Sequence, residues 1–489
     1  MKEIHTNSEY IFAGIQNSGL AAWPLFITHA TRNLERIAAA SLPPHTLMKR
    51  AGLELAKFAL AVKPHADVIW IICGPGNNGG DGLEAAFHLK SWGKNPVVTC
   101  MASEKKRPLD ANIAYQTAVN AGVTFSNQAP EHFDLCIDAI FGIGGLRDFD
   151  EDLSALISGI NTSRTTVISV DIPTGLNADS GSMKRCCVCA DFTLSLLTLK
   201  PGLFTANGRD VCGQIWFNDL GIQQTHDCIA QLNPFPQKVK RTHASHKGTY
   251  GDVAIIGGDF GMSGASMLAA KAALYGGAGR IYLTPLDLQH PFFNDSQPEL
   301  MYRNLADLSL ESMTVVAGCG GGAKIGQHMH QILERSARLV IDADAINSIA
   351  ESKDLQAKLL QRMEHTTVLT PHPLEAARLL GLKTEQIQEN RLNSSKTMAD
   401  RFRSIVVLKG SGSIVSAPTE KCRINITGNA RLATAGTGDV LAGLIGAKLA
   451  FGRNAFEQTC AAVYEHGEIS NQFLPNVALT AQRLAESLA

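Results

Sequence analysis

Short, almost unbroken runs of Val, Ile and Leu recur along this chain, and most of them empty into a glycine-rich turn. The first, Val68-Ile-Trp-Ile-Ile-Cys73, is apolar on both alternating faces, which predicts a strand covered on both sides in a parallel sheet. It ends in Gly74-Pro-Gly-Asn-Asn-Gly-Gly-Asp-Gly82; a helix is predicted over 83–92 and another strand over 96–101. Strand, glycine turn, helix and strand make a βαβ unit whose ligand loop lies at the carboxyl end of the first strand. The runs 133–139 and 166–170 end alike, in Asp138-Ala-Ile-Phe-Gly-Ile-Gly144 and Asp171-Ile-Pro-Thr-Gly-Leu-Asn177. Upstream, helical spacing predicts helices over 21–40, stopped by Pro43-Pro44, and over 45–62.

Residues 221–246 break this rhythm. They hold Asn233-Pro-Phe-Pro236, a basic patch at 238–241 that reads as solvated surface, and no apolar period, so they read as a linker. Past them the pattern restarts. Predicted strands at 253–256, 315–317, 339–342, 367–370 and 405–408 each run into a glycine-rich or polar turn. A helix is expected over 265–275. Two α/β domains with ligand loops on one sheet edge follow.

The candidate chemistry sits at those strand ends. Gly74, Gly76 and Gly79 satisfy G-x-G-x-x-G, a weak signal alone; Asn77, Asn78 and Asp81 add oxygen atoms that an ordinary dinucleotide loop does not need. Such oxygens suit a hard cation or a ribose hydroxyl. Asp138 and Asp171 stand at neighbouring strand ends, where parallel order lets them converge. In the second half, Gly436-Thr-Gly-Asp439 opens a helix predicted over 440–449. Asp439 therefore falls in a first turn, beside amides that bind anions, and reads as a base rather than a mere cap. His372, between two prolines, is read equally well as catalytic or as a turn residue. Lys409-Gly-Ser-Gly resembles part of a phosphate cradle, but the Walker pattern is missing, which argues against a P-loop NTPase.

Bulk properties narrow the class. At 489 residues the chain exceeds one core, and a formal charge of -1 speaks against nucleic acid as a partner. Scattered cysteines, with one cluster (Cys186-Cys187-Val188-Cys189) suited to neither zinc nor a disulfide framework, predict a reduced, cytoplasmic protein. No apolar signal region or membrane-length apolar run is read, so no membrane role is expected.

Taken together, Gly76-Asn-Asn-Gly-Gly-Asp81, Asp138-Ala-Ile-Phe-Gly-Ile-Gly and Asp171-Ile-Pro-Thr-Gly resemble the YjeF N-terminal domain, the NAD(P)H-hydrate epimerase family. His246-Lys-Gly-x-x-Gly, Asp342-Ala-Asp-Ala-Ile-Asn, Thr370-Pro-His-Pro-x-Glu375 and Gly436-Thr-Gly-Asp-Val-Leu-Ala-Gly443 resemble the NAD(P)H-hydrate dehydratase family. The resemblance implies an N-terminal Rossmann-like three-layer sandwich at 1–222, a linker at 223–241 and a C-terminal ribokinase-like α/β domain at 242–489. It implies that R and S hydrates of NADH and NADPH are interconverted. The S form is then dehydrated with ADP as co-substrate, giving AMP and phosphate.

By motif match, Asp171 and Asp439 would be catalytic. The epimerase substrate would be held by Asn77, Asn78, Gly79, Gly80 and Asp81, by Gly142, Ile143, Gly144, Gly145, Leu146, Arg147 and Asp148, and by Asp171. Asn78, Asp138 and Thr174 would ligate K+. In the dehydratase, Ala265, Gly320, Gly322, His372 and Asp439 would face the hydrate. Lys409, Gly410, Ser411, Gly412, Ser413 and Gly438 would hold the nucleotide, with Mg2+, and assembly with like chains is expected. Departures from the family pattern are Thr174 for a usual Ser, Gly318-Cys-Gly-Gly-Gly322 for Gly-Pro-Gly-Leu-Gly, and Asn429-Ala-Arg-Leu for Asn-Pro-Gly-Met.

The rival reading is a small-molecule kinase of the hydroxyethylthiazole kinase type, against which the epimerase-like first half stands. A second rival, a scaffold with an inactive first domain, is opposed by the intact Asn77, Asn78, Asp81, Asp138 and Asp171.

Overall fold

The computed structural model describes residues 2–4, 22–101, 107–144, 149–223, 227–237, 241–287 and 297–488. The chain divides into two compact units, Met1–Ala230 and Gln231–Ala489.

In the first unit the apolar runs form one sheet. Its order is Lys2–Ile4, Gln214–Asn218, Phe192–Leu196, Thr166–Val170, Leu135–Ala139, Val68–Cys73, Asn95–Cys100 and Thr124–Phe125. All neighbours are parallel except the first pair. Alternate side chains of Val68–Cys73 enter two cores. Ile69, Ile71 and Cys73 pack with the helices Thr46–Val62 and Asn77–Ser91, while Trp70 and Ile72 pack with Leu153, Ile157 and Ile160 of Glu151–Thr162. A strand covered on both faces has no polar side to show, which is why its sequence is continuous rather than alternating. The chain leaves Val68–Cys73 toward Asn95–Cys100 on one side and returns to Leu135–Ala139 on the other. The crevice at that reversal is where such sheets bind ligands.

The second unit repeats the logic with Met301–Tyr302, Arg280–Pro285, Asp252–Gly257, Thr314–Ala317, Arg338–Ile341, Thr367–Leu369 and Ile405–Leu408 in parallel order. Ile414–Ser416 and Cys422–Ile424 then continue antiparallel. Against this sheet, helix Ser263–Tyr275 meets helix Thr437–Ala450 so closely that a Cβ on Gly443 would lie 2.0 Å from the Ala269 carbonyl oxygen.

Several boundaries differ from the sequence expectations. Helix Asn77–Ser91 starts six residues before the predicted 83, taking Asn77–Gly82 of the glycine turn into its first turns. Glycine costs a helix about 1 kcal/mol per residue, but here packing decides. A Cβ on Gly79 would lie 2.1 Å from the Gly74 oxygen, and one on Gly82 would lie 2.7 Å from the Ala139 Cβ. The first long helix is Thr28–Ser41, preceded by a short strand at Pro24–Leu25 rather than by more helix. The predicted linker contains a strand, Ala230–Leu232, and the basic residues 238–240 lie outside the described residues.

Candidate functional sites

In the first unit a cavity of about 660 Å³ opens at the sheet reversal, and its lining includes Asn77, Asn78, Asp81, Gly142, Ile143, Gly144 and Asp171. The helix N-terminus carries Asn77, Asn78 and Asp81 into it, because the chain turns directly from strand Val68–Cys73 into that helix. Gly79 and Gly80 do not line it; they are the buried contact face against Gly74 and Met48. Gly145, Leu146, Arg147 and Asp148 lie outside the described residues.

Asp171 follows strand Thr166–Val170 with a left-handed backbone, φ 65°. That conformation is costly for a non-glycine residue and marks a position held by its surroundings. Its Oδ1 accepts from the Lys200 ammonium and from the Leu196 amide, 3.1 Å away. Lys200 is fully buried and also donates to the Leu196 carbonyl at 2.7 Å. Burial lowers its pKa from the ordinary lysine value against the opposing pull of Asp171. Burial, followed by Asp171 and Glu35, pushes the Asp81 carboxyl well above its usual range. Glu35 is likewise raised by burial, and its Oε1 accepts from Asn77 at 3.4 Å. The site thus holds two carboxyl groups raised by burial, Asp81 and Glu35, near the Asp171–Lys200 pair, which suits proton transfer. The sequence reading missed Lys200. Its signal was a lysine closing the otherwise uncharged run Ser195-Leu-Leu-Thr-Leu-Lys200.

Asp138 is fully buried behind this cavity. Its carboxylate accepts from Ser169 Oγ at 2.8 Å, Thr174 Oγ1 at 2.7 Å and the Thr174 amide at 2.9 Å. Burial raises its pKa and these bonds oppose the rise. Thr174 Oγ1 in turn accepts from the Phe141 amide at 3.0 Å. At the next residue, a Cβ on Gly142 would lie 3.0 Å from Asn78 Oδ1 and 3.4 Å from Asp171 Oδ2. Among the described residues, buried Asn78 Nδ2 has no hydrogen-bond partner. A carboxylate, a hydroxyl and an amide whose O and N are interchangeable by a flip form an oxygen-rich set that fits a hard cation.

The second site gathers residues from four strand ends. Asp342, 2% exposed, ends strand Arg338–Ile341; its Oδ1 accepts from Lys409 Nζ at 2.7 Å and Thr370 Oγ1 at 2.6 Å. Burial works to lower the Lys409 ammonium, and Asp342 and Glu375 more than reverse it. Asp439 lies in the first turn of Thr437–Ala450, as its glycine turn predicted. Gly436, φ 89°, turns the chain into that helix; a Cβ on Gly438 would lie 3.3 Å from Lys409 Nζ. Burial and then Asp342 push the Asp439 carboxyl up to about 6. Burial also pushes Glu375 up to about 7 and the Cys319 thiol well above its usual value.

Cys319 Sγ and carboxylate oxygens of Asp342 and Asp439 lie within 4.8 Å of one another. The two carboxylates suit Mg2+ beside nucleotide phosphates, whereas the soft thiol does not.

The Gly318–Gly322 turn bends through φ 113° at Gly318, 59° at Gly320 and 54° at Gly322. The Gly320 Cα faces Ala265, whose Cβ would lie 3.0 Å from an added Cβ, and the Gly322 amide donates to Asp344 at 2.9 Å. His372 caps helix Pro373–Leu380: Nδ1 accepts from the Leu374 amide at 3.1 Å and from Glu375 at 3.4 Å. Gly410 and Gly412 supply the turn after Lys409, and Gly410 packs against buried Arg391. Ser413 closes that turn, its Oγ donating to the Gly410 oxygen at 3.2 Å; Ser411 lies within it. Buried His466, unpredicted, meets the Thr437 carbonyl through Nε2 at 2.9 Å, and burial lowers its pKa to about 4.

The family of the YjeF-related protein N-terminus matches residues 44–202, and that of NAD(P)H-hydrate dehydratase matches residues 253–489. The bifunctional NAD(P)H-hydrate repair enzyme Nnr of Escherichia coli (strain K12) is 36% identical over 459 residues, covering 89% of this chain and 87% of the relative. The enzyme of that name from Coxiella burnetii is 32% identical over 463 residues, with 90% and 93% covered. Among solved structures, an ADP/ATP-dependent NAD(P)H-hydrate dehydratase from Bacillus subtilis, co-crystallised with ATP/Mg2+, is 28% identical. It covers 51% of this chain and 91% of its own, with a TM-score of 0.43. With two α/β units, an acid paired with a lysine in each, and these relatives along nearly its whole length, the chain belongs to the bifunctional NAD(P)H-hydrate repair enzyme family.

Proposed function

We propose that residues 1–222 interconvert the R and S hydrates of NADH and NADPH, that 223–241 connect, and that 242–489 dehydrate the S form with ADP. The observation that carries this is the duplicated constellation: Asp171 on buried Lys200 in one unit, and Asp439 with buried Asp342, which pairs with Lys409, in the other.

In the first unit, epimerisation requires the carbinolamine C–N bond to break: the hydroxyl proton leaves, the carbinol carbon becomes an aldehyde, the ring nitrogen takes up a proton, and reclosure on the other face reverses each transfer. Asp171 is the group for the hydroxyl proton, and Lys200 holds its carboxylate in place. Asn77, Asn78, Asp81 and Gly142–Gly144 surround the hydrate. K+ on Asn78, Asp138 and Thr174 would supply positive charge that orders the Gly142 loop.

In the second unit Asp439 takes the proton of the hydrate hydroxyl as that oxygen attacks the terminal phosphorus of ADP. The P–O bond to AMP breaks and the hydroxyl becomes a phosphate ester; its departure as phosphate, with loss of a proton from the adjacent ring carbon to the departing phosphate or to water, restores the double bond. Lys409 and the amides of the Gly436–Gly438 turn face the phosphoryl charge. Ser411, Gly412 and Ser413 hold the nucleotide near Gly438. Mg2+, entering with the nucleotide, would neutralise phosphate charge next to Asp342 and Asp439. Ala265, Gly320, Gly322 and His372 form the hydrate side. We further propose a cytoplasmic homo-oligomer; among the described residues no helix is long and apolar enough to cross a membrane.

The test offers purified protein the S hydrate of NADPH with ADP, with ATP, and with neither, following recovery of the reduced-nicotinamide absorbance. Recovery with ADP supports the reading. Failure with both nucleotides, alongside phosphorylation of a simple alcohol by ATP, establishes the kinase instead.

A further inference from the structure

Ring opening exchanges protons at two atoms, the hydroxyl oxygen and the ring nitrogen, and the Asp171–Lys200 pair serves only one of them. Asp171 Oδ1 is taken by the Lys200 ammonium and the Leu196 amide, so Oδ2 alone is left for the hydrate. Lys200 donates to Asp171, to the Leu196 carbonyl at 2.7 Å and to Ser195 Oγ at 3.3 Å, which uses all three of its N–H groups. It is fully buried and does not line the cavity. A second carboxyl comes from helix Thr28–Ser41: half-buried Glu35, which lines the same cavity. Its Oε1 accepts from Asn77 Nδ2 at 3.4 Å, and among the described residues no other partner holds the carboxyl. Burial raises its pKa above the ordinary glutamate value; Asn77 opposes the rise, Asp171 adds to it, and Lys200 and Arg32 oppose it. Asp81, on the same wall as Asn77, is the third carboxyl facing this space.

We propose that Glu35 is a second catalytic residue of the first unit, the acid that hands a proton to the ring nitrogen as the C–N bond breaks. Asp171 Oδ2 takes the hydroxyl proton, the carbinol carbon becomes an aldehyde, the electron pair of the C–N bond passes to nitrogen, and Glu35 Oε2 delivers its proton there. Reclosure on the other face reverses both transfers, Asp171 giving its proton to oxygen and Glu35 recovering its own. A raised proton affinity suits a donor, and the Asn77 bond steadies the carboxyl while leaving Oε2 to the substrate. The inference rests on the epimerase reading of that half.

The full chain is given the R hydrate of NADH without ADP, so only epimerisation proceeds. Chromatography of the two epimers gives the rates, after subtraction of the rate in protein-free buffer. Glu35→Gln keeps an acceptor for Asn77 but carries no acid proton. It is expected to lower kcat by about 10²-fold while KM stays within about twofold. In the unaltered chain kcat is expected to fall about tenfold per pH unit above the pKa of Glu35, because the donor must be protonated; Glu35→Gln is expected to lack that alkaline decline. Urea unfolding midpoints verify that the variant folds, and the decline in the unaltered chain is read without any substitution. Near-normal kcat in Glu35→Gln, a rise in KM alone, or no alkaline decline in the unaltered chain overturns the assignment while leaving the epimerase reading intact. So does a decline that persists in Glu35→Gln and vanishes in Asp81→Asn, which gives the proton to Asp81. No catalysed epimerisation by the unaltered chain overturns both.

Discussion

Asp439 is acidic enough to be charged near neutrality only because two effects stop short of neutralising it. Burial and the neighbouring Asp342 push it up to about 6, while Cys319 and Lys409 pull the other way. As the proposed base it must be deprotonated, so dehydratase kcat/KM is expected to fall tenfold per pH unit below about 6. A pH–rate profile with saturating ADP checks this. Asp439→Asn is expected to lower dehydratase kcat by about 10³-fold or more while circular dichroism stays unchanged. Near-normal turnover by that variant would remove Asp439 from the chemistry. The same shift bears on stability with a definite sign. Asp439 and Glu375 have folded values, about 6 and about 7, above those of the unfolded chain, so their stabilising contribution is present at acid pH and lost as pH rises through 6 to 7. His466, lowered to about 4, acts oppositely: its contribution is present above about 6.5 and lost as pH falls toward 4. Lys200 is the complementary case in the first unit. Lys200→Met leaves the Asp171 carboxylate without its ammonium, and is expected to cost about 3–5 kcal/mol of unfolding free energy in urea melts as well as R-hydrate epimerisation.

Elements are placed here by glycines that act through contact rather than through turn flexibility. The turn of Asn77–Asp81 reads as a loop from propensity, yet it is helical, because the missing Cβ atoms of Gly79 and Gly82 let the helix lie against Gly74 and the strand beside it. Gly79→Ala is expected to destabilise the first unit by about 1–3 kcal/mol and to slow epimerisation, since it pushes Asn78 and Asp81 away from Asp171. Dehydratase turnover serves as the internal control. His372 illustrates the reverse ambiguity. Its place between two prolines suited either a catalytic or a turn residue, and the structure gives it the capping role, with Nδ1 on two amides. His372→Ala is expected to cost about 1 kcal/mol of stability, the usual worth of a cap. A kcat loss above tenfold in that variant would show contact with the hydrate as well.

At the scale of the whole molecule, two α/β units each carry their own acid–ammonium pair, so lesions should be separable. Asp171→Ala is expected to stop consumption of the R hydrate while the S hydrate is repaired at the unaltered rate. Asp439→Asn should do the opposite. Parallel assays from each purified epimer decide, and loss of both activities in either variant would contradict two independent sites.

Much of this was legible in the chain itself. Continuous apolar runs announce doubly covered parallel strands because such strands have no polar face, and the acidic or glycine-rich ends of those runs announce one ligand-bearing sheet edge. Asp138, Asp171 and Asp439 stand out that way as candidates, since their local context is enough to set them apart. What only the tertiary structure decided is which distant groups meet them. Lys200 lies 29 residues from Asp171, Lys409 lies 67 from Asp342, and Glu84 lies 39 from His45. A lone lysine or histidine carries no periodic signal of its own. Its proton affinity and its partner are set by burial and by neighbours that the fold brings from other strands, and those exist only once the sheet has closed.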